Sequence, residues 1–258
     1  MKAVFLSDAH LYDSKDEGYQ KLLAFLHAME ADVDHLFIVG DFFDFWFCTR
    51  DRVYPGFRVI IDALLRLRER GVTISLFEGN HDFFLDAFFG RYGMAVYPED
   101  AVVHLEGKKL YVAHGDLVDV SNRRYLCLRK LLRSRIFYVL QAMLPCPLLW
   151  KISEISSRVS KEHLAAPSGG IADRMEAFSR ERFSEGFDAV ILGHCHRPLM
   201  RQTSMNGAMK TFVTLGDWIS HFSYLLYDDG EFSLRHYGRS PEREMSPVSG
   251  VSTKNPGG

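Results

Sequence analysis

The sequence predicts an α/β protein whose sheets are covered by helices. Strand-length apolar runs alternate with longer amphipathic runs through the first half of the chain, and strand-like runs crowd its end. Hydrophobic residues make up 47% of the 258, enough for a sizeable core. The strand-like runs are Lys2–Ser7, His35–Gly40, Val72–Phe77, Lys109–His114, Ala189–Gly193 and Thr211–Gly216. Two more, Ser223–Asp228 and Glu231–Tyr237, flank "DDGE", a hairpin signal. Helical patterns fill Tyr19–Ala31, Arg58–Gly71 and Phe83–Tyr92, with Gly79 ending the strand before the last of these and Asp82 placed to cap it. One domain is expected over residues 1–238. A disordered tail is expected over 239–258, where Ser, Pro and Gly dominate.

A net charge of −2 gives no global reason to expect nucleic acid as a partner. Cys48, Cys127, Cys146 and Cys195 are scattered without CxxC spacing, which argues against a disulfide framework or a zinc ribbon and fits a reducing compartment. The opening "MKAVFLSDAHL" meets an Asp too early to read as a signal peptide. The most apolar stretch, Ile136–Trp150, is too short to span a bilayer and contains two prolines. A cytoplasmic protein, soluble or surface-bound, is expected.

One region breaks the rhythm. From about 121 to 166 the pattern is helical with no strand between, a helical insertion. It opens with "NRRYLCLRKLLRSR", where six Arg and Lys residues interleave with Tyr and Leu. Such a segment is either a packed helical pair with a solvated basic face or a lid that meets something both greasy and anionic.

The chemistry lies at the strand ends. They read "SDAH" (Asp8, His10), "GDFFD" (Asp41, Asp44), "GNHD" (Asn80, His81, Asp82), "HGD" (His114, Asp116) and "GHCH" (His194, His196). Asp8 and His10 are two apart, as are His194 and His196. In an extended segment each pair points to one side. Cys195 then points away, as a small buried filler. Singly, each motif is ordinary: an Asn after Gly is usually a turn residue, and a lone His near a strand end is more often hydrogen-bonded than ligated. Jointly they are not, because five of the eleven histidines fall at strand ends beside Gly or Asp. Carboxylate, imidazole and amide oxygen suit Mn²⁺, Fe²⁺ or Zn²⁺. More than six donors are too many for one ion and about right for two.

The ordered series D-x-H, G-D-x-x-D, G-N-H-D, H-G-D and G-H-x-H resembles the calcineurin-like metallophosphoesterase superfamily. The resemblance implies a four-layer αββα sandwich carrying two divalent ions, with Mn²⁺ ahead of Fe²⁺ or Zn²⁺. By that pattern Asp8, His10 and His196 take one ion and Asn80, His114 and His194 the other, with Asp41 bridging. His81 is then the proton donor, oriented by Asp44. Asp82 is a cap or an anchor behind the ligands, and Asp116 supports a ligand imidazole.

The flanks "MKAVFLSDAHL", "VGDFFDFW", "GHCHRP" and "LGDW", with the insertion after "HGD", resemble the UDP-2,3-diacylglucosamine pyrophosphatase family of lipid A synthesis. That implies hydrolysis of an acylated UDP-sugar to lipid X and UMP, at the inner-membrane surface. Asn80, Tyr125, Arg129, Ser160 and Lys161 match substrate-binding positions. The better-known form of that family has Arg where His81 stands and Glu where Asp44 stands. It also has Asn and Lys where Leu164 and Pro167 stand. The chain is closer to a branch that keeps His. Two rival readings are a calcineurin-like phosphoesterase with another substrate (a nucleotide, another nucleoside diphosphate sugar or a phospholipid-like diester) and a non-catalytic scaffold. A long greasy insertion disfavours a simple nucleotide substrate, and the intact ligand set disfavours the scaffold.

Overall fold

The computed structural model describes residues 1–29, 32–47, 52–120, 123–144, 148–149, 151 and 170–238. Among the described residues, eleven strands form two sheets. The first holds β1 (Lys2–Leu6), β2 (His35–Val39), β3 (Thr73–Phe77), β4 (Ala95–Tyr97), β10 (Ser223–Asp228) and β11 (Glu231–His236), in the order β11-β10-β1-β2-β3-β4. The second holds β5 (Asp100–Leu105), β6 (Lys108–Ala113), β7 (Ala189–Leu192), β8 (Leu199–Met205) and β9 (Ala208–Thr214), in the order β5-β6-β7-β9-β8. Strands β1 to β4 run parallel, as do β6, β7 and β9, while β5, β8, β10 and β11 are antiparallel additions.

Side-chain alternation sorts these strands into four layers. In β1, Val4 and Leu6 face the helices while Ala3 and Phe5 face the other sheet. In β2, Leu36 and Ile38 face out and Phe37 and Val39 face in. In β7, Ala189 and Ile191 meet the first sheet, and Val190 and Leu192 turn to the far side. Both faces of these strands are therefore buried, which is why they read as unbroken apolar runs. Helices α1 (Glu17–Met29), α2 (Arg58–Glu69) and α3 (Asp86–Phe89) cover the first sheet through Leu22, Leu26, Ile60, Leu64 and Phe89. The helix Ile171–Ser184 (α6) covers the second through Met175 and Phe183. The insertion supplies α4 (Arg123–Leu132) and α5 (Arg135–Met143). The expected αββα sandwich is the fold.

Eight of the strands were legible in the sequence; β4, β5 and β8 were not. The edge strands β5 and β8 carry exposed polar residues (Asp100, Arg201, Gln202, Thr203, Ser204) and show no apolar run. A signal was nevertheless present: Asn206-Gly207, both at positive φ, joins β8 to β9 as a hairpin turn. The helix expected over Phe83–Tyr92 is shorter, four residues at Asp86–Phe89 followed by a 3-10 turn at Gly90–Tyr92. Its start lies beyond Asp82, whose carboxylate is used elsewhere.

Phe37 lies between the sheets, stacked on Phe5 at 4.4 Å and on His35 at 3.8 Å. Phe37→Ala is expected to cost about 3–5 kcal/mol. Chemical denaturation checks this, with a lowered midpoint and an unchanged slope as the expected result.

Candidate active site

The carboxyl ends of the parallel strands of both sheets converge, as they do at the ligand crevices of open α/β sheets. Three groups of donors form there: Asp8, His10 and His196; His10, Asp44 and His81; and Asp41, His114 and His194. Within each group the donor atoms lie within 4.8 Å of one another. Asp41 lies 3.7 Å from the His10 ring and 3.3 Å from that of His114, so it stands between the groups. Asn80 Oδ1 is 3.2 Å from His114 Nε2. All seven residues expected to hold metal are thus brought together.

The route by which they converge differs from the expected one. The strands stop at Leu6 and Leu192, before the donors begin. Asp8 (φ 52°), His10 (φ 43°), Asp41 (φ 49°), His194 (φ 66°) and His196 (φ 55°) are all left-handed. The pairs meet because the chain turns at each donor, not because they share a face of a strand. Such backbone costs about 1–3 kcal/mol per residue and collects at functional sites. Cys195 does turn inward, into the apolar layer with Met175 and Phe212.

Close backbone approach explains two of the motif glycines. A Cβ at Gly79 would fall on the Asp41 carboxylate, and one at Gly193 would crowd Ser7 and Asp8. Asp82 explains the rest of G-N-H-D. Its carboxylate accepts the N–H groups of Asp41 (3.0 Å), Phe42 (2.7 Å), Phe43 (3.1 Å) and Gly79 (2.9 Å). It ties the loop after β2 to the loop after β3 instead of capping α3. His114 joins the sheets, with Nδ1 donating to the Val39 carbonyl at 3.1 Å.

Asp44 orients His81, chiefly through its main chain. His81 Nδ1 donates to the Asp44 carbonyl at 3.0 Å, whereas the carboxylate stands 3.8 Å away and is nearer His10, at 3.4 Å. Asp116, expected to support a ligand imidazole, bears on His114 and His194 by its charge, while its hydrogen bonds go elsewhere. Its Oδ2 accepts from the Tyr125 hydroxyl at 2.6 Å and from Arg129 Nε at 2.7 Å, so it anchors α4. Arg133, one turn on, donates to the Gly79 carbonyl (2.7 Å), the Pro98 carbonyl (2.7 Å) and the buried Glu78 (3.0 Å). The sequence reading assigns Glu78 no part and counts Arg133 among the basic residues facing anionic lipid, whereas its side chain is turned inward. Ser160, Lys161, Leu164 and Pro167 lie outside the described residues.

The electrostatics fit cations. Burial and the nearby charge of Asp41 push Asp8 up to about 6. Burial works against the imidazolium of His114, yet the charge and hydrogen bond of Asp41 raise it to about 10. Burial, and then the charge on His114, lowers His194 to about 4. Protons on histidine here do the work that a divalent ion does better. Among the described residues neither ring nitrogen of the buried His10 has a hydrogen-bond partner. Two orphaned nitrogens beside two buried carboxylates suit a metal.

Residues 1–198 match calcineurin-like phosphoesterase. The chain belongs to that family. Among curated relatives of this phosphoesterase, the UDP-2,3-diacylglucosamine hydrolase of Aeromonas salmonicida (strain A449) is 30% identical, covering 91% of this chain and 92% of its own. The enzyme of the same name from Neisseria meningitidis serogroup B (strain MC58) is 32% identical over 89% and 95%. That of Stenotrophomonas maltophilia (strain K279a) is 29% identical over 91% and 98%. The family implies a dinuclear site, and the donor set fits one.

Asp41→Ala should abolish hydrolysis and lower bound metal sharply, because one side chain stands among both donor groups. His10→Ala should be milder. Metal content by elemental analysis and turnover at saturating Mn²⁺ are the measurements. Near-normal turnover of Asp41→Ala would remove Asp41 from the bridging position.

Proposed function

We propose that this phosphoesterase hydrolyses the pyrophosphate of UDP-2,3-diacylglucosamine, yielding lipid X and UMP in lipid A synthesis. The observation that carries the reading is the relationship to hydrolases of that name over about nine tenths of the chain, insertion included. In this reading Asp8, His10 and His196 hold one ion, Asn80, His114 and His194 the other, and Asp41 serves both. Two divalent ions held there, Mn²⁺ ahead of Fe²⁺ or Zn²⁺, would supply Lewis-acid polarisation of the phosphoryl oxygens and activation of the attacking water.

The chain's own residues do the rest. Water, having given up a proton to solvent, forms a new P–O bond as the anhydride P–O bond breaks; the departing phosphate oxygen takes a proton from His81, which regains one from solvent. Burial works against a charged His81, but Asp41, the Asp44 carbonyl and the charges of Asp44 and Asp82 overcome it and raise the pKa. The proton therefore stays on the ring to higher pH. Nδ1 is held by the Asp44 carbonyl, and Nε2 is the nitrogen proposed to serve the substrate. Asn80 offers a neutral amide oxygen where a carboxylate would repel the substrate phosphates.

The insertion suits an acylated substrate. Leu128, Leu131, Ile136 (73% exposed), Val139, Leu140 and Met143 (77% exposed) present apolar surface on α4 and α5. These helices are anchored at Asp116 and Gly79, beside the donors. Tyr125 and Arg129 are proposed to act on substrate from that anchor, and Ser160 and Lys161 to contact it. The cytoplasmic leaflet of the inner membrane is the proposed location. Among the described residues no helix is long and apolar enough to cross a membrane. Of the basic residues, Arg129 and Arg133 are 10% and 13% exposed and paired inward. Arg123, Arg124, Lys130 and Arg135 are exposed and are the set proposed to face anionic lipid.

The deciding experiment compares diacylated with deacylated UDP-glucosamine, using purified protein and Mn²⁺. Release of lipid X and UMP, with a strong preference for the acylated compound, is expected. No effect of the acyl chains would favour a calcineurin-like phosphoesterase with a different substrate.

Three further outcomes follow from the geometry. His81→Ala should keep its metal and lose about 10²–10⁴ in turnover, with much of the loss recovered on an aryl ester with a good leaving group. Equal losses for good and poor leaving groups would exclude the proton-donor role. Neutralising Arg123, Arg124, Lys130 and Arg135 should weaken binding to anionic vesicles, most visibly at low salt. Arg133→Ala should instead lower stability by about 3 kcal/mol, since it leaves Glu78 buried without its partner.

A further inference from the structure

The motif "LGDW" follows β9, and the proposed reaction gives it no task. The structure brings it to the same crevice as the metal-binding residues. Asp217 is 2% exposed, and its carboxylate is fixed from behind. Oδ1 accepts the N–H groups of Ile219 (2.9 Å), Ser220 (2.7 Å) and His221 (3.1 Å), which close a tight turn. Oδ2 pairs with His221 Nδ1 at 2.7 Å. On its other side Oδ2 faces Nδ1 of His196 at 3.9 Å. The Nε2 of that ring is 3.5 Å from Asp8 Oδ1, within the donor group. The next residue, Trp218, donates its N–H to the Asp8 carbonyl at 3.1 Å. On the same strand, Thr214 donates to the Arg197 carbonyl at 2.6 Å, one residue past His196.

We infer that Asp217, backed by His221, is the positioning residue for His196 and so for the ion held by Asp8, His10 and His196. The two nitrogens of the His196 ring have opposite surroundings. Nε2 looks into the crevice at a carboxylate donor, and Nδ1 looks out at a carboxylate that nothing else in the donor set uses. A ligating histidine is commonly held this way. A carboxylate behind it fixes the tautomer, keeps the proton on the far nitrogen and raises the basicity of the near one. At 3.9 Å the contact is longer than a hydrogen bond, so it works through charge or a bridging water. The turn also sets the backbone at Asp8. One short loop therefore bears on two of the three donors of one ion, and among the described residues no hydrogen bond or ion pair joins it to Asn80, His114 or His194. This is the task that the sequence assigned to Asp116, performed by a residue at the end of a different strand. The inference rests on the two-metal reading and adds an asymmetry that the reading does not require.

The test is Mn²⁺ titration of the metal-free full-length protein, followed by calorimetry and by electron paramagnetic resonance. Asp217→Asn keeps an oxygen for the three backbone N–H groups and replaces only the oxygen that faces the histidines. It is expected to weaken one of two Mn²⁺ binding events by about 10–100-fold and leave the other unchanged. The weakened event should be the one lost in His196→Ala. The double variant should bind no worse than His196→Ala alone. His221→Ala should weaken the same event less. It carries the test if Asp217→Asn does not fold. Equal weakening of both events, or a lower melting temperature with unchanged Mn²⁺ affinities, would make Asp217 a turn-former only and overturn the inference. A wild-type protein that binds no Mn²⁺ would overturn the two-metal reading itself. Two intact events in His196→Ala would remove His196 as a ligand. Both results are distinguishable from a failure of Asp217 alone.

Discussion

Asp8, Asp41, Asp44 and Asp82 are each no more than 4% exposed, and they crowd the ends of three neighbouring strands. Buried negative charge of this density is strongly unfavourable unless it is paired. Much of the local structure answers that constraint. Asp82 spends its charge on four backbone N–H groups. Asp41 is held well below the usual carboxylate range, since the charges of His114, His81 and His10 and a hydrogen bond from His114 outweigh the burial that would raise it. Gly79 and Gly193 allow backbone to approach where a side chain would displace a carboxylate. What remains after these devices is a cluster of acids and imidazoles whose charge is best balanced by cations.

The sandwich explains why so many donors can meet. Strands covered on both faces have no solvent-facing side on which to carry polar chemistry, so chemistry is confined to their ends. Two sheets stacked face to face bring their carboxyl ends together, which doubles the number of loops that reach one point. The sheets are joined at that point directly. The imidazole of His114, from the second sheet, bonds the Val39 carbonyl of the first, and the N–H of His194 bonds the Asp8 carboxylate at 2.9 Å. The donors are therefore also part of the junction between layers. A substitution among them is expected to register in stability as well as in chemistry.

Most of the site was legible because its residues sit where an apolar run stops. Asp8, His10, Asp41, Asn80, His114, His194 and His196 are each within a few residues of a strand's last apolar side chain. What was not legible is what requires a partner from elsewhere in the chain. Asp82 reads as either a helix cap or an anchor behind the ligands, since nothing local shows that loop 41–43 needs an acceptor. Asp116 reads as support for a histidine, since its Tyr125 and Arg129 partners come from an insertion of unknown placement. The argument from strand alternation reached the right convergence by the wrong geometry. Positive φ at five non-glycine donors leaves little trace in sequence. The edge strands escaped for a different reason: their exposure removes the apolar signature on which the reading depended.

The insertion shows how far composition can mislead about direction. Interleaved Arg and Leu suggest a basic face toward solvent or lipid and an apolar face toward the protein. In α4 and the turn that follows it, part of that order is reversed. Arg129 and Arg133 reach back to Asp116, Glu78 and the Gly79 carbonyl, while Leu128 and Leu131 are more than half exposed. The guanidinium fork makes this possible. It is long enough to span from a helix to a strand end and can satisfy several acceptors at once. The cost of partly burying those charges is offset because their partners, Asp116 and Glu78, are buried carboxylates that need a cation anyway. The result is a mechanical link. Gly79 precedes the candidate ligand Asn80, and Asp116 lies two residues after His114, so α4 is bound to the loops that carry one of the two proposed ions. The exposed apolar surface of the insertion is thereby tied, through two arginines, to the loops that carry those donors.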